Sequence, residues 1–541
     1  MNRNRILLAS TVFAVAIIFG TPLIVEPLLD KKITAALNEK YTDYIIEIDK
    51  VHWSLIPSKL KLKKITISSN TQHRDARDIR GEVESVQLKG IQLIKSVFTD
   101  KYEIDEIIIS NSHLEGKVPF LDKEKLPIVS SINIHIGNIL FDQINLALQD
   151  SSSARTLSVI DGVLNIADLK IEKLDTLGIP NHLNFKAEQV LSVSTDSLYT
   201  YIASGIIYSD TLMTLSIGNL SFVPNYKGYD FTAKQPYETD RIEAVFSPIY
   251  LYHFPAADYF NSGNFASSYI EIGNIDMNIF RDKRKEDSPL EKPVFQDVIY
   301  KYPGRLRIDS IGFNNGTITY TEHAEKANEP GKISMNEVKV RIYNITNDTI
   351  YKTKDGSMEM MAEALLMGKS KMKVALKAKL FDNQNTFSMN GTLAELEVKE
   401  LNPILEKNAF IYFYSAKIEQ MSFNFTANDT KATGEMTMLY NGLDIAIKNK
   451  RTDDTKTIKE QIISLIANKG AWDSNPLPGK DVRVGIIDYE RDPTRAIMNY
   501  SIKSIISGIK SSTIKIPNRK RNFLQRLFSS GDENQKNAIK N

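Results

Sequence analysis

Apolar and charged residues alternate with a period of two along much of this chain, and that alternation most constrains its fold. Lys371-Met-Lys-Val-Ala-Leu-Lys-Ala-Lys-Leu380 sets Met372, Val374, Leu376, Ala378 and Leu380 on one side and Lys371, Lys373, Lys377 and Lys379 on the other. Successive side chains of an extended strand point to opposite faces, so the pattern is that of an antiparallel strand with one dry and one wet face. Tyr44, Ile46 and Ile48 alternate in the same way with Glu47 and Asp49. Leu60 and Leu62 oppose Lys59, Lys61 and Lys63, and Lys64 then breaks the phase, which predicts a bulge. On the order of 25 segments read as strands, at the spacing of hairpin-connected β-structure.

Helical periodicity is sparse. Leu28, Leu29, Ile33, Ala36 and Leu37 fall near one helical face. Further helices are expected over residues 90–99, 402–406, 457–468 and 492–510, and loops rich in Pro, Gly or charge over 224–240, 281–293, 325–331 and 475–480. A weak repeat joins EVESVQLKGIQL (82–93) plus YEIDEIIISNSHLEGK (102–117) to RIEAVFSPIYL (241–251) plus SSYIEIGNIDMNIFRDK (267–283). A third statement is LRIDSIGFNNGTITYTE (306–322) with GKISMNEVKVRIYNIT (331–346). Stacked units that cannot bury a core alone imply an elongated sheet.

One segment stands apart. Ile6 to Val25 is an apolar run preceded by Arg3 and Arg5. As a helix it is long enough to cross a hydrocarbon core of ~30 Å, and basic flanks stay on the cytoplasmic side. The expectation is a cytoplasmic stub over 1–5, an anchor over 6–25 and the remainder across the membrane. The competing reading is a cleaved signal peptide, but Ala14-Val-Ala16 sits inside the run with Ile17, Ile18 and Phe19 still to come.

The chemistry of enzymes is hard to find. The 541 residues contain no cysteine, which removes disulfides, thiolate metal sites and cysteine nucleophiles together. A net charge of +2 gives no argument for nucleic acid. The seven histidines, at 52, 73, 113, 135, 182, 253 and 323, have no paired ligand spacing. Gly368-Lys-Ser370 is read as a hairpin turn rather than the end of a phosphate loop. Glu47/Asp49 and Glu103/Asp105 read as solvated charges on outer strand faces. No catalytic residue, metal ligand or cofactor site is assigned, and the expectation is a non-enzyme. Trp53 stands beside the turn Ser54-Leu-Ile-Pro-Ser58 and serves either as core filler or as an interfacial residue. The tail over 516–541 carries Arg519, Lys520, Arg521 and Arg526 among Phe523, Leu524, Leu527 and Phe528; it reads as a disordered basic tail, or as one that touches anionic lipid.

The order of these features resembles the AsmA-like superfamily of bacterial envelope proteins. The likeness rests on the anchor, the amphipathic turn of helix and YIIEIDKVHWSLIPSKLKLKKITISS (44–69). It also rests on the strand unit from 306 and on residues 387–447, with Leu401-Asn-Pro403, the strand Ala416–Phe425 and the ending Tyr440-Asn-Gly-Leu443. Ala416-Lys-Ile departs from the glycine expected at that strand start. The resemblance implies a mainly β fold in which the anchor precedes an elongated, curved, mostly antiparallel, groove-like sheet with few short helices. Its regions would be 26–300 and 301–515. It implies a periplasmic protein tethered to the inner membrane whose hydrophobic groove moves phospholipid towards the outer membrane and supports envelope integrity. Expected partners are phospholipid acyl chains, the inner membrane and envelope proteins, with no nucleic acid. The lipid-facing candidates are Ile46, Ile48, Leu60, Leu62, Met372, Val374, Leu376 and Leu380. The alternative is a non-enzymatic assembly or scaffold factor for outer-membrane proteins, with closed sheets and no groove.

Overall fold

In the computed structural model, long strands carry most of the chain. The structure describes residues 31–39, 41–55, 57–70, 78–92, 101–118, 133–171, 182–448, 462–464 and 470–514. The expected anchor over 6–25 and the basic tail over 516–541 lie outside these residues. Among the described residues no helix is long and apolar enough to cross a membrane. The chain divides into two compact units, one of residues 1–225 with 246–268 and one of 226–245 with 269–541.

The first unit begins with a helix over residues 31–39 and continues as strands β1 (Tyr44–Leu55), β2 (Ser58–Ser69), β3 (Asp78–Lys89), β4 (Lys101–Val118), β5 (Asn133–Asp150), β6 (Thr156–Ile171), β7 (His182–Val193), β8 (Tyr199–Ser209) and β9 (Thr214–Pro224). Each pairs with the next, antiparallel throughout except for the parallel pair β4–β5. The helix is fastened by Asn38, whose Nδ2 donates to Ile46 O at 2.8 Å and whose Oδ1 accepts from Ile46 N at 2.8 Å. Ile33 and Leu37 thereby pack on Ile48, Val51, Ile65 and Val83.

The phase break at Lys64 takes a form other than the expected bulge. The β1–β2 and β2–β3 registers run unbroken past it, with Ile65 opposite Ile48 and Val83. Lys64 instead adopts a left-handed backbone at φ 50°, which turns the following side chains to the other face without an extra residue. Asn111 in β4 and Gln143 in β5 are left-handed too, at φ 50° and 56°, and at Gln143 the β5–β6 register shifts.

The second unit has the same kind of ladder. After β10 (Asp240–Tyr252) and β11 (Phe265–Ser267) in the chain, strand β12 (Tyr269–Asp282) pairs parallel with β13 (Leu306–His323). Antiparallel pairing then runs through β14 (Gly331–Thr346), β15 (Ser357–Leu366), β16 (Ser370–Lys379), β17 (Phe387–Leu393), β19 (Ile411–Ala427), β20 (Lys431–Lys448) and β22 (Val484–Glu490). The short strands β18 (Leu396–Glu397) and β21 (Ile462–Ser464) join β19 and β20. One parallel pair among antiparallel neighbours recurs in each unit. The sequence repeat is the trace of that pattern: β13 follows β12 as β5 follows β4.

The expected period is realised in β16. Leu376 and Leu380 are 3% and 1% exposed and Met372 and Val374 are half-buried, while Lys371, Lys373, Lys377 and Lys379 face solvent. Met367 and Gly368, both left-handed, close the β15–β16 hairpin where the phosphate-loop look-alike stands. Two helix expectations need correction. Residues 462–464 extend the sheet as β21 rather than forming a helix, and the C-terminal helix starts at Ile497, not at residue 492. Residues 492–496 are held in a turn in which Asp492 Oδ1 accepts from Thr494 N at 2.9 Å. Much of the predicted helix over 90–99 and 457–468 lies outside the described residues.

Candidate apolar cavity in the second unit

A cavity of about 570 Å³ opens between the sheet and two helices of the second unit. Its sheet wall depends on changes of face within single strands. In β19, Ile411 and Phe413 line the cavity at odd positions and Ala416 and Ile418 at even ones. The register shifts between Phe413 and Lys417 bring the two sets to one side. In β20, Met438 and Tyr440 precede, and Leu443 and Ile445 follow, Gly442. Gly442 is left-handed at φ 61°, where an L side chain is strained, so it is the residue that turns the apolar set over.

The helix Asn402–Asn408 closes one side. Pro403 sits in its first turn, where a missing N–H costs nothing. Asn402 Nδ2 donates to Phe413 O at 2.9 Å and Oδ1 accepts from Phe413 N at 2.9 Å, so the helix start is tied to the start of β19. Leu405 and Asn408 face the cavity. Asn408 Nδ2 donates to Glu322 Oε1 at 2.8 Å.

The helix Ile497–Thr513 closes another. Its seam of small residues, Ser501, Ser504, Gly508 and Ser512, is buried. Gly508 approaches Ile487 and Met436 so closely that an added Cβ would stand 2.8 Å from Ile487. Ser511 Oγ and Ser507 Oγ accept from Ile486 N and Asp488 N at 3.0 and 3.2 Å, which satisfies strand donors that face away from β20. Tyr500 is 1% exposed and meets the rings of Phe387 and Tyr489. The opposite stripe, Asn499, Lys503, Ile506, Lys510 and Thr513, faces the cavity at helical spacing.

Charged side chains gather at another part of the lining. Arg281 holds Asp240 through two bonds of 2.6 Å and Glu238 at 3.2 Å. Arg495 is paired in a fork with Asp287 and lies 3.7 Å from Glu238. Lys283 pairs with Glu322 at 2.9 Å, and Tyr320 OH donates to the same carboxylate at 2.6 Å. Burial, and then the carboxyl of Asp287 alongside, push the Glu238 acid up to about 7. Burial and the neighbouring charge of Lys503 push the Lys510 ammonium down to about 8.

None of the eight sequence-derived groove candidates lines this cavity. Ile46, Ile48, Leu60 and Leu62 join the core beneath the helix over 31–39. Met372, Val374, Leu376 and Leu380 occupy the inner face of β16 and the turn after it. The cavity residues escaped the sequence reading because Lys503 and Lys510 look like a solvated helix face. The available signals were the apolar phase breaks at 413–416 and 440–443.

His323, His135 and His182 are locally satisfied. His323 Nε2 donates to Ala327 O at 2.7 Å and its Nδ1 lies 2.7 Å from Tyr229 OH. His135 and His182 lie beside Asp168 and Asp210. Among the described residues no group of three or more His, Asp or Glu is placed to hold a metal. The cavity offers apolar surface bounded by charge. No protein-family model matches the chain, and no curated protein sequence matches it.

Proposed function

We propose that this chain is a lipid-binding protein of the AsmA-like kind, anchored by Ile6 to Val25, and that the second unit holds the apolar chain of a lipid out of water. The observation that carries the reading is the cavity. Leu405, Phe410, Phe413, Ile506 and Ile509 turn apolar surface into a space of about 570 Å³ that side chains leave unfilled. Apolar surface kept from water is worth ~25 cal/mol per Å², so an acyl chain gains there what core side chains gain elsewhere. Movement of phospholipid between membranes is the function that such chain binding would serve.

The test is lipid extraction from the purified full chain followed by mass spectrometry, beside the variant Ile506→Arg. The wild type should carry lipid and the variant should carry little. Equal lipid in both would overturn the assignment of this cavity.

A further inference from the structure

Among the described residues Ile350 is the most exposed large apolar side chain, at 78%. It stands on the turn Thr349–Tyr351, which hydrogen bonds hold in place. Asp348 Oδ1 accepts from Ile350 N at 2.9 Å, Tyr351 N donates to Asp348 O at 3.1 Å, and Asp348 N donates to Thr346 Oγ1 at 3.0 Å. Lys352 Nζ lies 5.3 Å from the centre of the Phe381 ring, and the Tyr300 ring meets Phe381 at 6.0 Å. The end of the helix Phe295–Tyr300 and the turn therefore converge on one ring. Tyr300 and Tyr351, 52% and 45% exposed, share this end of the second unit with Ile350. A single exposed apolar residue is ordinary, whereas a convergent group marks a surface that meets something.

The charges at this end differ in what they touch. Asp309 and Asp355 pair with Arg307 and Lys377, Asp348 caps the turn, Asp297 accepts from Val294 N and Asp382 from Thr386 N. Among the described residues the exposed ammonium groups of Lys301, Lys352 and Lys354 lie within ion-pair distance of no carboxylate. An aliphatic tip with phenol rings beside it and lysines around them matches a bilayer surface. The aliphatic side chain enters the acyl boundary, tyrosine sits at head-group level and lysine meets anionic lipid. A folded protein partner needs a fitted surface far larger than three side chains, and a bilayer needs none.

We propose that this end of the second unit docks on a bilayer carrying anionic lipid, with Ile350 entering the acyl boundary, Tyr300 and Tyr351 among the head groups and Lys301, Lys352 and Lys354 against lipid phosphates. The docking is separate from chain binding in the cavity.

The chain has no cysteine, so one introduced thiol takes one environment-sensitive fluorophore. Thr349→Cys places it beside Ile350, and Lys369→Cys places it at the other end of β16, about 30 Å away along ten residues. The full chain, held in an amphipathic polymer, is titrated with phosphatidylcholine vesicles with and without phosphatidylglycerol. Emission at position 349 should rise, with apparent affinity about tenfold or more higher for the vesicles with phosphatidylglycerol, and position 369 should stay silent. K301Q/K352Q/K354Q should remove that preference, and Ile350→Ser should weaken binding to both vesicles about tenfold. Both variants change exposed side chains and should keep the wild-type lipid content on extraction, which separates a lost docking surface from a lost cavity. No response at 349 to either vesicle, or an equal response at 349 and 369, overturns the docking. Equal affinity for the two vesicles overturns the lysine contacts, and unchanged affinity in Ile350→Ser overturns the insertion.

Discussion

Replacing Gly485 by alanine puts a methyl group where the C-terminal helix leaves no room. The new Cβ would lie 2.4 Å from Gly508 O and 3.0 Å from Ser512 Cβ. Both neighbours are held close to the helix backbone, so no flexible side chain can swing away. The helix must move off β22 by about 1 Å, and overpacking of this kind costs about 1–3 kcal/mol. The same movement stretches the bonds from Ile486 N to Ser511 and from Asp488 N to Ser507. Hydrogen exchange read on a peptide covering residues 497–513 should show protection falling roughly five- to 150-fold. Chain binding should weaken with it, because Lys503, Ile506 and Lys510 ride on that helix. Ile502→Ala, at a position 49% exposed on the same helix, is the control and should change little. Protection in Gly485→Ala equal to that of the wild type would refute the claim that this seam holds the cavity wall.

Leu376→Asp should destabilise the second unit by at least about 3 kcal/mol, since the carboxylate would be buried opposite Met360 and Met389. Lys377→Glu, which loses exposed pairs with Asp355 and Glu359, should cost under about 1 kcal/mol by denaturant titration. Asn402→Ala should cost about 1–3 kcal/mol in the same assay, because it strands the backbone N–H and C=O of Phe413. Glu238 binds its proton more tightly folded than unfolded, so its contribution is fullest below its ordinary value of 4.5 and is lost as pH rises through about 7. Stability against pH should therefore decline across that window, and Glu238→Gln should flatten the decline.

The regular strands were legible because period-two phasing is a local property. The lysines of β16 and the leucines between them determine its two faces without help from the rest of the chain. The candidate site was not legible for the same reason. A residue chosen for clean alternation sits in a regular strand, where neighbours cover it, as Ile33 and Leu37 help to cover Ile48. An unfilled space arises where alternation fails, as at Gly442 and between Phe413 and Lys417, and those breaks weaken the periodic signal. The seam Ser501, Ser504, Gly508 and Ser512 carries no hydrophobic pattern either. Its contribution is close approach of backbones, which small residues permit and hydropathy does not register.

The central claim is that the cavity of the second unit holds an apolar chain, and the most direct measurement is a site-resolved one. A photo-crosslinker at Ile506 faces the cavity, and one at Ile502 faces solvent on the same helix. With the full chain crosslinked in the cells that express it, the Ile506 position should yield an adduct whose added mass is that of a lipid, and the Ile502 position should not. Adducts of protein alone at both positions, or equal lipid capture at the two, would contradict it.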